Sequence, residues 1–137
     1  MQVKKEFEFE SAHRLSNYEG KCKRIHGHNY KVVVTVEGDE VDDRGILIDF
    51  GDIKSVVKEH IIQVYDHKLL LKVDDEQNKE IADVLVKYGE DQFIWFPTNP
   101  TAENMATHFL GVLKRYIPQV KSVEVFETPD SSAIASI

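Results

Sequence analysis

Two histidines and a cysteine lie within seven residues of one another, in the stretch from Cys22 to His28 (CKRIHGH). Side chains at positions i and i+2 of an extended chain point to the same side, so His26 and His28 would face a common point. Imidazole is a common zinc ligand, and a catalytic zinc usually has three protein ligands and one open position. A bare His-x-His also fits a loop with two surface histidines, so a zinc site requires a third ligand from elsewhere.

The elements around this stretch supply a third histidine on the same side. From Val3 to Leu15 apolar residues alternate with charged ones, which is typical of a half-buried strand, and His13 lies on the apolar parity. His26 and His28 share a parity with the apolar positions of a second strand, which ends at Gly38. Consecutive strands usually pair. The sequence therefore predicts that three imidazoles converge on one zinc site.

Cys22 is the only cysteine, and its neighbours Lys21, Lys23 and Arg24 are all basic. Nearby cations favour the thiolate form, which is the reactive form of cysteine. The same basic cluster is a docking point for a polyanionic substrate. A single cysteine cannot form an internal disulfide, which suits a reducing compartment.

Two further positions carry groups that transfer protons or bind polar ligands. Glu127 continues the apolar series of a strand that contains Val123 and Val125. A carboxylate there is costly unless it binds something or the strand end is solvated. Asp66 precedes His67 just past a predicted helix, but Asp-His pairs are a weak motif because they often occur by chance.

The composition indicates one globular domain spanning residues 1–137. Apolar residues make up 42% and charged residues 30% of the chain, which is ordinary for a soluble protein. The formal net charge of −7 argues against a general nucleic-acid-binding surface. No apolar N-terminal signal region and no apolar run of membrane-spanning length is present, so we expect a cytoplasmic protein without a membrane partner.

Two long helices are predicted between the outer strands. The first is capped by Asp49 or Asp52 and carries apolar residues at helical spacing as far as Val64. The second is capped by Thr101 and ends before Pro118. Shorter elements are a helix over 81–88, a strand over 93–96 and two final strands over 123–127 and 133–137.

Five segments together resemble the 6-pyruvoyltetrahydropterin synthase and 6-carboxytetrahydropterin synthase family. They occur in the family's order and extend from near the N-terminus almost to the end of the chain. They are FESAHRL (9–15), CKRIHGH (22–28), the Asp66-His67 pair, PTAEN (100–104) and the Glu127-Thr128 pair. The segment 74–96 is not covered by these motifs.

This resemblance implies an α+β tunnelling fold (T-fold), with a four-stranded antiparallel sheet and two long helices on one face. It also implies a homo-oligomer, in which three subunits join through their sheet edges into a barrel and two trimers stack into a hexamer. The active sites would lie between subunits. A small open sheet has unpaired edges, and closing a barrel removes them.

Carried over to matching positions, the resemblance implies that Zn²⁺ is bound by His13, His26 and His28. Cys22 would be the general base. The implied substrate is dihydroneopterin triphosphate, whose two side-chain hydroxyls zinc can polarise as a Lewis acid.

The resemblance assigns roles to other residues too. His67, oriented by Asp66, would relay protons. Glu127 would anchor the pterin and take part in the relay, because a carboxylate accepts two hydrogen bonds from the guanidine-like edge of a pterin. The remaining substrate contacts would come from Thr101, for the pterin, and from Lys23 and Arg24, for the triphosphate.

The four-residue step from Cys22 to His26 is similar to that of the bacterial carboxy-forming enzymes. It favours a 6-carboxy-5,6,7,8-tetrahydropterin synthase that releases acetaldehyde and triphosphate on the route to queuosine. One alternative is a 6-pyruvoyltetrahydropterin synthase, although the animal enzymes of that type have a longer step between the corresponding cysteine and histidine. The other is a non-enzymatic pterin-binding module, in which Cys22 is the fourth ligand of a structural zinc.

Overall fold

Within residues 1–89 and 91–137, which the computed structural model describes, the centre of the fold is a six-stranded mixed sheet. Its strands are β1 (Gln2–His13), β2 (His26–Glu37), β3 (Leu69–Lys72), β4 (Phe93–Phe96), β5 (Val120–Thr128) and β6 (Ser131–Ser136). Their order across the sheet is β4-β3-β1-β2-β5-β6. The pairs β1–β2, β2–β5 and β5–β6 are antiparallel, whereas β1–β3 and β3–β4 are parallel.

Besides a short 3₁₀ turn between β1 and β2 (Lys21–Lys23), three α-helical regions connect these strands in the described chain. The first is α1 (Phe50–Val57), which continues through a π-helical segment (Lys58–Ile62) into α2 (Gln63–Tyr65). The others are α3 (Glu76–Val86) and α4 (Ala102–Lys114). A side-chain oxygen caps each of the three N-termini by accepting a backbone N–H, and the capping residues are Asp49, Asp75 and Thr101.

The main core lies between one face of the sheet and the two predicted long helices. Alternate strand residues, Phe7 and Phe9 on β1 and Val32 and Val34 on β2, are buried in one cluster with residues of both helices. The helical members are Ile53, Val57, Ile61, Tyr65, Met105, Ala106, Phe109, Leu110 and Leu113. Because they all pack on the same strand parity, both helices cover one face of the sheet.

The prediction of a four-stranded antiparallel sheet with two helices accounts for only part of the fold. The segments Leu69–Lys72 and Phe93–Phe96 extend the sheet beyond β1 as two short parallel strands. The sequence predicted the second of these as an isolated strand and did not predict the first. A third helix, α3, lies between them and starts at Glu76, earlier than the predicted 81, because Asp75 caps it.

A long β-hairpin positions the residues of interest. β1 and β2 pair without interruption from Gln2↔Glu37 to His13↔His26, so His13 and His26 are opposite each other at the end of the ladder. His28 lies two residues further along β2, opposite Ser11. The predicted pairing of the two histidine-bearing strands is therefore confirmed. In the described ranges, no helix combines the length and the apolar character needed to cross a bilayer.

Candidate active site

His13, His26 and His28 form one compact cluster. Each contributes one ring nitrogen, and these nitrogens all lie within 4.8 Å of one another. His13 is buried, and the other two are half-buried. Among the described residues, this group of close donor atoms does not include the Cys22 thiol.

Backbone carbonyls determine which ring nitrogen of two histidines carries the proton. His13 Nδ1 lies 2.7 Å from the Pro100 carbonyl oxygen, and His26 Nδ1 lies 2.7 Å from the Arg24 carbonyl oxygen. A carbonyl only accepts hydrogen bonds, so both Nδ1 atoms are donors. In the neutral rings, both Nε2 atoms then present lone pairs.

These two lone pairs face each other, since His13 Nε2 and His26 Nε2 are 3.0 Å apart. Two acceptors at that distance repel unless they share a cation or a proton. A tetrahedral zinc with Zn–N bonds of about 2.0–2.1 Å places its ligand nitrogens about 3.3 Å apart. The donor set and its spacing therefore fit a metal ion held by the three imidazoles.

His28 supports the same conclusion through its unsatisfied nitrogen. Within residues 1–89 and 91–137, His28 Nε2 is the one buried side-chain nitrogen or oxygen without a hydrogen-bond partner. Glu127 Oε1 lies 3.4 Å from it, which is within ion-pair distance but is not a hydrogen bond. Buried polar atoms are rarely left unpaired, so an orphan nitrogen in this cluster indicates a missing ligand.

Burial affects the protonation of two of these histidines and of a neighbouring tyrosine. It lowers the pKa of His13 and of His28, although the Glu127 carboxylate acts in the opposite direction. It also raises the pKa of the Tyr30 phenol, an effect that Glu127 reinforces. Both imidazoles are therefore biased toward the neutral form that binds metals.

Two shallow grooves meet at the segment Gly27–Asn29. One, of about 420 Å³, is lined by Glu10, Ser11, Ala12 and His67 together with that segment. The other, of about 400 Å³, is lined by that segment, by Glu8 and Lys31, and by residues 126–129 at the end of β5 and just beyond it. Glu127 and His67 thus lie in neighbouring grooves on either side of His28.

The Asp66-His67 pair is attached to β1 at Glu10, toward the C-terminal end of the strand. Asp66 Oδ1 accepts the Glu10 N–H at 3.0 Å, and the His67 N–H donates to the Glu10 carbonyl. Asp66 Oδ2 lies 2.9 Å from His67 Nδ1. Burial alone would raise the pKa of Asp66, but the hydrogen bonds from Glu10 N–H and His67 hold this pKa below its ordinary value.

His67 has a left-handed backbone conformation, with φ near 60°. This region is uncommon for a residue other than glycine and is enriched at functional sites. The imidazole is 73% exposed, and its Nε2 lies 3.8 Å from Glu10 Oε2. The ring is thus oriented by Asp66 at one nitrogen and open to a ligand at the other.

The remaining predicted site residues lie in the loop after β1 and at the start of α4. Cys22 is half-buried in a short 3₁₀ turn between exposed Lys21 and Lys23, and its carbonyl accepts the Leu15 N–H at 3.3 Å. Arg24 is exposed and holds His26 through its carbonyl. The Thr101 hydroxyl caps α4 by accepting the Asn104 N–H at 3.2 Å.

Sequence reasoning missed two groups that contact His13. The Tyr30 hydroxyl lies 3.2 Å from His13 Nδ1, and Tyr30 shares the parity of His26 and His28, so its strand position was a usable signal. The other group is the Pro100 carbonyl. A backbone oxygen has no residue-type signature, so no pattern in the sequence indicates this contact.

Comparison with known proteins agrees with this architecture. The sequence model of the family described as 6-pyruvoyl tetrahydropterin synthase matches residues 2–136. A Haemophilus influenzae protein named 6-carboxy-5,6,7,8-tetrahydropterin synthase is 35% identical over 133 residues, covering 94% of each chain. A Rickettsia felis protein of the same name is 34% identical over 128 residues, covering 90% of this chain and 91% of its own.

Solved structures have the same fold. An uncharacterised protein from Wolinella succinogenes superimposes with a TM-score of 0.84 at 26% identity, covering 99% of this chain and 97% of its own. The 6-pyruvoyl tetrahydropterin synthase of Plasmodium falciparum superimposes with a TM-score of 0.76 at 23% identity, covering 100% and 98%. The fold and the cluster define a chain of the tetrahydropterin synthase type. It belongs to the 6-pyruvoyl tetrahydropterin synthase family, and the prediction that it is an enzyme of this family is confirmed.

Proposed function

We propose that this chain is a zinc-dependent 6-carboxy-5,6,7,8-tetrahydropterin synthase. It would convert 7,8-dihydroneopterin triphosphate into 6-carboxytetrahydropterin, acetaldehyde and triphosphate, with one water consumed overall, as a step toward queuosine. The observation that carries the proposal is the cluster of three imidazoles, in which two lone pairs face each other at 3.0 Å and a third nitrogen is unsatisfied. The names of the relatives at 34% and 35% identity support the carboxy-forming reaction.

The metal site would be formed by His13, His26 and His28 alone. When bound, zinc would supply Lewis-acid polarisation of the hydroxyls on the substrate side chain. The carbonyls of Pro100 and Arg24 keep the first two rings in the tautomer that presents Nε2. Burial lowers the pKa of His13 and of His28, which favours their neutral, metal-binding form at the pH of the cytoplasm, where we place the enzyme.

Glu127 would hold the pterin ring. It lies on β5 and lines the groove of about 400 Å³, and its side chain is 30% exposed, so a ligand can reach it. A carboxylate there accepts two parallel hydrogen bonds from the amino-pyrimidine edge of a pterin. Thr101 would contribute a further pterin contact.

Proton transfer would be divided between two residues. Cys22 would act as the general base at the substrate side chain, and His67 would relay protons on the opposite side of His28. The 2.9 Å contact between Asp66 Oδ2 and His67 Nδ1 leaves His67 Nε2 as the exchanging atom. Exposed Lys23 and Arg24 would bind the triphosphate.

The active enzyme would be a homo-hexamer made of two barrel-shaped trimers. Within the described part of the chain, β1 pairs with β3 only at Ala12 and His13, so most of one side of β1 has no partner strand. β6 forms the opposite edge of the sheet. Pairing of these two edges between subunits would close a barrel and satisfy their backbone groups.

Two alternative functions make different predictions, one for the reaction product and the other for the protein ligands of the zinc. A 6-pyruvoyltetrahydropterin synthase is favoured by the name of the Plasmodium structure, but at 23% identity that likeness concerns the fold. A pterin-binding module with a His₃Cys zinc would need Cys22 at the metal, and the cluster of close donor atoms in the described chain does not contain it.

The test is product analysis with dihydroneopterin triphosphate and zinc-loaded protein. We expect 6-carboxytetrahydropterin by mass spectrometry and acetaldehyde in equal amounts by a coupled reductase assay. Pyruvoyltetrahydropterin without acetaldehyde would establish the first alternative. Tight pterin binding with no product would establish the second.

A further inference from the structure

The carbonyl of Pro100 reaches His13 from the turn that precedes α4. Pro100 is buried, and its oxygen lies 2.7 Å from His13 Nδ1. This contact sets the tautomer of His13 and the direction of its ring. The orientation of the Pro100 carbonyl is therefore part of the three-histidine cluster.

Asn99, the residue before Pro100, is bound to the chain just beyond His13. Its side-chain Oδ1 accepts the Ser16 N–H at 2.8 Å, and its Nδ2 donates to the Ser16 carbonyl at 2.7 Å. Because a backbone N–H only donates and a carbonyl only accepts, one orientation of the amide satisfies both bonds. Asn99 thus pairs with the Ser16 backbone as a neighbouring strand residue would.

The backbone of Asn99 is fixed as well. Its carbonyl accepts the Thr101 N–H at 2.8 Å and the Asn104 side-chain Nδ2 at 2.9 Å. The Thr101 N–H lies in the same planar peptide unit as the Pro100 carbonyl, so its bond to Asn99 restrains the direction of that carbonyl, and the proline ring restricts φ of Pro100. Two connections, Asn99 to Ser16 and Pro100 to His13, therefore join the end of β1 to the start of α4.

We propose that Asn99 is a positioning residue for His13. By binding both backbone groups of Ser16, it holds the Pro100 carbonyl where it accepts the His13 Nδ1–H, and His13 Nε2 is then directed into the cluster. The predicted effect of Asn99 on zinc affinity rests on the proposed metal site. The predicted effect of Asn99 on the His13 tautomer applies to the metal-free protein as well.

Asn78 provides a matched control because it binds Ser16 in a different way. It is fully buried, and its Nδ2 donates to the Ser16 hydroxyl at 3.3 Å and to the Lys72 carbonyl at 3.0 Å. Both asparagines thus bind Ser16, Asn78 through a buried bond to its hydroxyl and Asn99 through part-buried bonds to its backbone. Asn78 lies on α3 and is not adjacent in sequence to the carbonyl that contacts His13.

The experiment compares wild type with Asn99→Ala and Asn78→Ala by two measurements. Long-range ¹H–¹⁵N correlation spectra of the metal-free proteins near neutral pH report which nitrogen of His13 is protonated. Zinc titration against a competing chelator gives the affinity. We expect the Nδ1–H tautomer in wild type and Asn78→Ala, with equal zinc affinity. In Asn99→Ala we expect a mixture of tautomers and about 10-fold weaker binding, the lower end of the usual loss for an outer-shell partner.

Asn99→Asp extends the test if the alanine variant does not fold. The carboxylate still accepts the Ser16 N–H but cannot donate to the Ser16 carbonyl, so we expect a smaller shift in the same direction for both readouts. Wild-type zinc affinity together with an unchanged His13 tautomer, in whichever Asn99 variant folds, would overturn the inference. A wild type that binds no zinc would remove the proposed metal site, and the tautomer comparison would still decide the role of Asn99.

Discussion

His13 and His26 are the last directly opposed pair of the β1–β2 ladder, and their Nε2 atoms lie 3.0 Å apart. The ladder fixes both backbones, and a backbone carbonyl orients each ring. The two nitrogens are consequently held close to each other before a metal binds. Because folding of the hairpin already brings the ligands together, the free-energy cost of doing so lowers the stability of the folded protein. This cost should be measurable in the metal-free protein.

The stability of the metal-free protein should depend on pH near neutrality. Burial lowers the pKa of His13 and of His28 below the ordinary value of 6.5. As pH falls through 6.5 the unfolded chain takes up these protons first, so the free energy of unfolding should decrease below about pH 6.5 and be constant above about pH 7. Urea denaturation in the presence of a chelator measures this. His28→Gln should show a shallower decrease, and a flat wild-type profile between about pH 5 and 7 would contradict the expectation.

Much of the candidate site could be predicted because its residues follow strand periodicity. The parity of His13, His26 and His28 and the pairing of consecutive strands were sufficient to bring the three rings together. The cap Thr101 was also recognisable, and Asp49 was one of two candidate caps with Asp52, since short polar side chains at helix starts have a local function.

The rest of the fold depended on contacts distant in sequence. β4 was predicted as a strand but not placed in the sheet, and β3 was not predicted, because a four-residue apolar run has no periodicity that distinguishes a strand from a buried turn. Their positions in the sheet, with β3 beside β1 and β4 beside β3, follow from packing across the sheet. The Pro100–His13 and Asn99–Ser16 contacts each pair a side chain with a backbone group, and residue types do not reveal the backbone partner.

Oligomerisation should depend on the free edge of β6. The Ile137 N–H donates to Lys121 on β5, and N–H directions alternate along a strand, so the Ile134 N–H faces away from β5. Ile134→Pro removes this outward donor, which an edge strand of a monomer tolerates. We expect a folded monomer by sedimentation velocity where wild type sediments as a hexamer. Ile134→Ala keeps the N–H and should remain hexameric, and a hexameric proline variant would rule out pairing at this edge.

Glu127→Gln should weaken pterin binding. The substitution keeps the size of the side chain but replaces a charged acceptor with a neutral amide, so one charge-assisted contact is lost. Such a contact is worth roughly 1.5–3 kcal/mol. Steady-state kinetics should show a higher KM and a lower kcat. Glu124→Gln, on the same strand, is the control, since Glu124 bonds Ser132 and lies outside the grooves beside His28. Unchanged kinetics in the Glu127 variant would mean that Glu127 does not bind the pterin and is simply a solvated carboxylate at the end of a strand.

Cys22→Ala should separate a catalytic zinc from a structural one. In a structural site Cys22 would close the tetrahedron, and its loss would release the metal and weaken the fold. In the proposed enzyme the three imidazoles are the only protein ligands, and the thiol acts on the substrate. The variant should then retain its zinc, its assembly and its substrate affinity, while turnover falls by about 10²–10⁴-fold, the usual contribution of a general base.

His26→Ala is the comparison for that experiment, because a lost ligand should remove metal and activity together. Zinc per subunit and turnover are measured on the same purified samples of both variants. In Cys22→Ala, full zinc content with low turnover supports the general base. Zinc lost in proportion to activity in that variant would place the thiol on the metal, and the proposed division between three ligands and one base would be wrong.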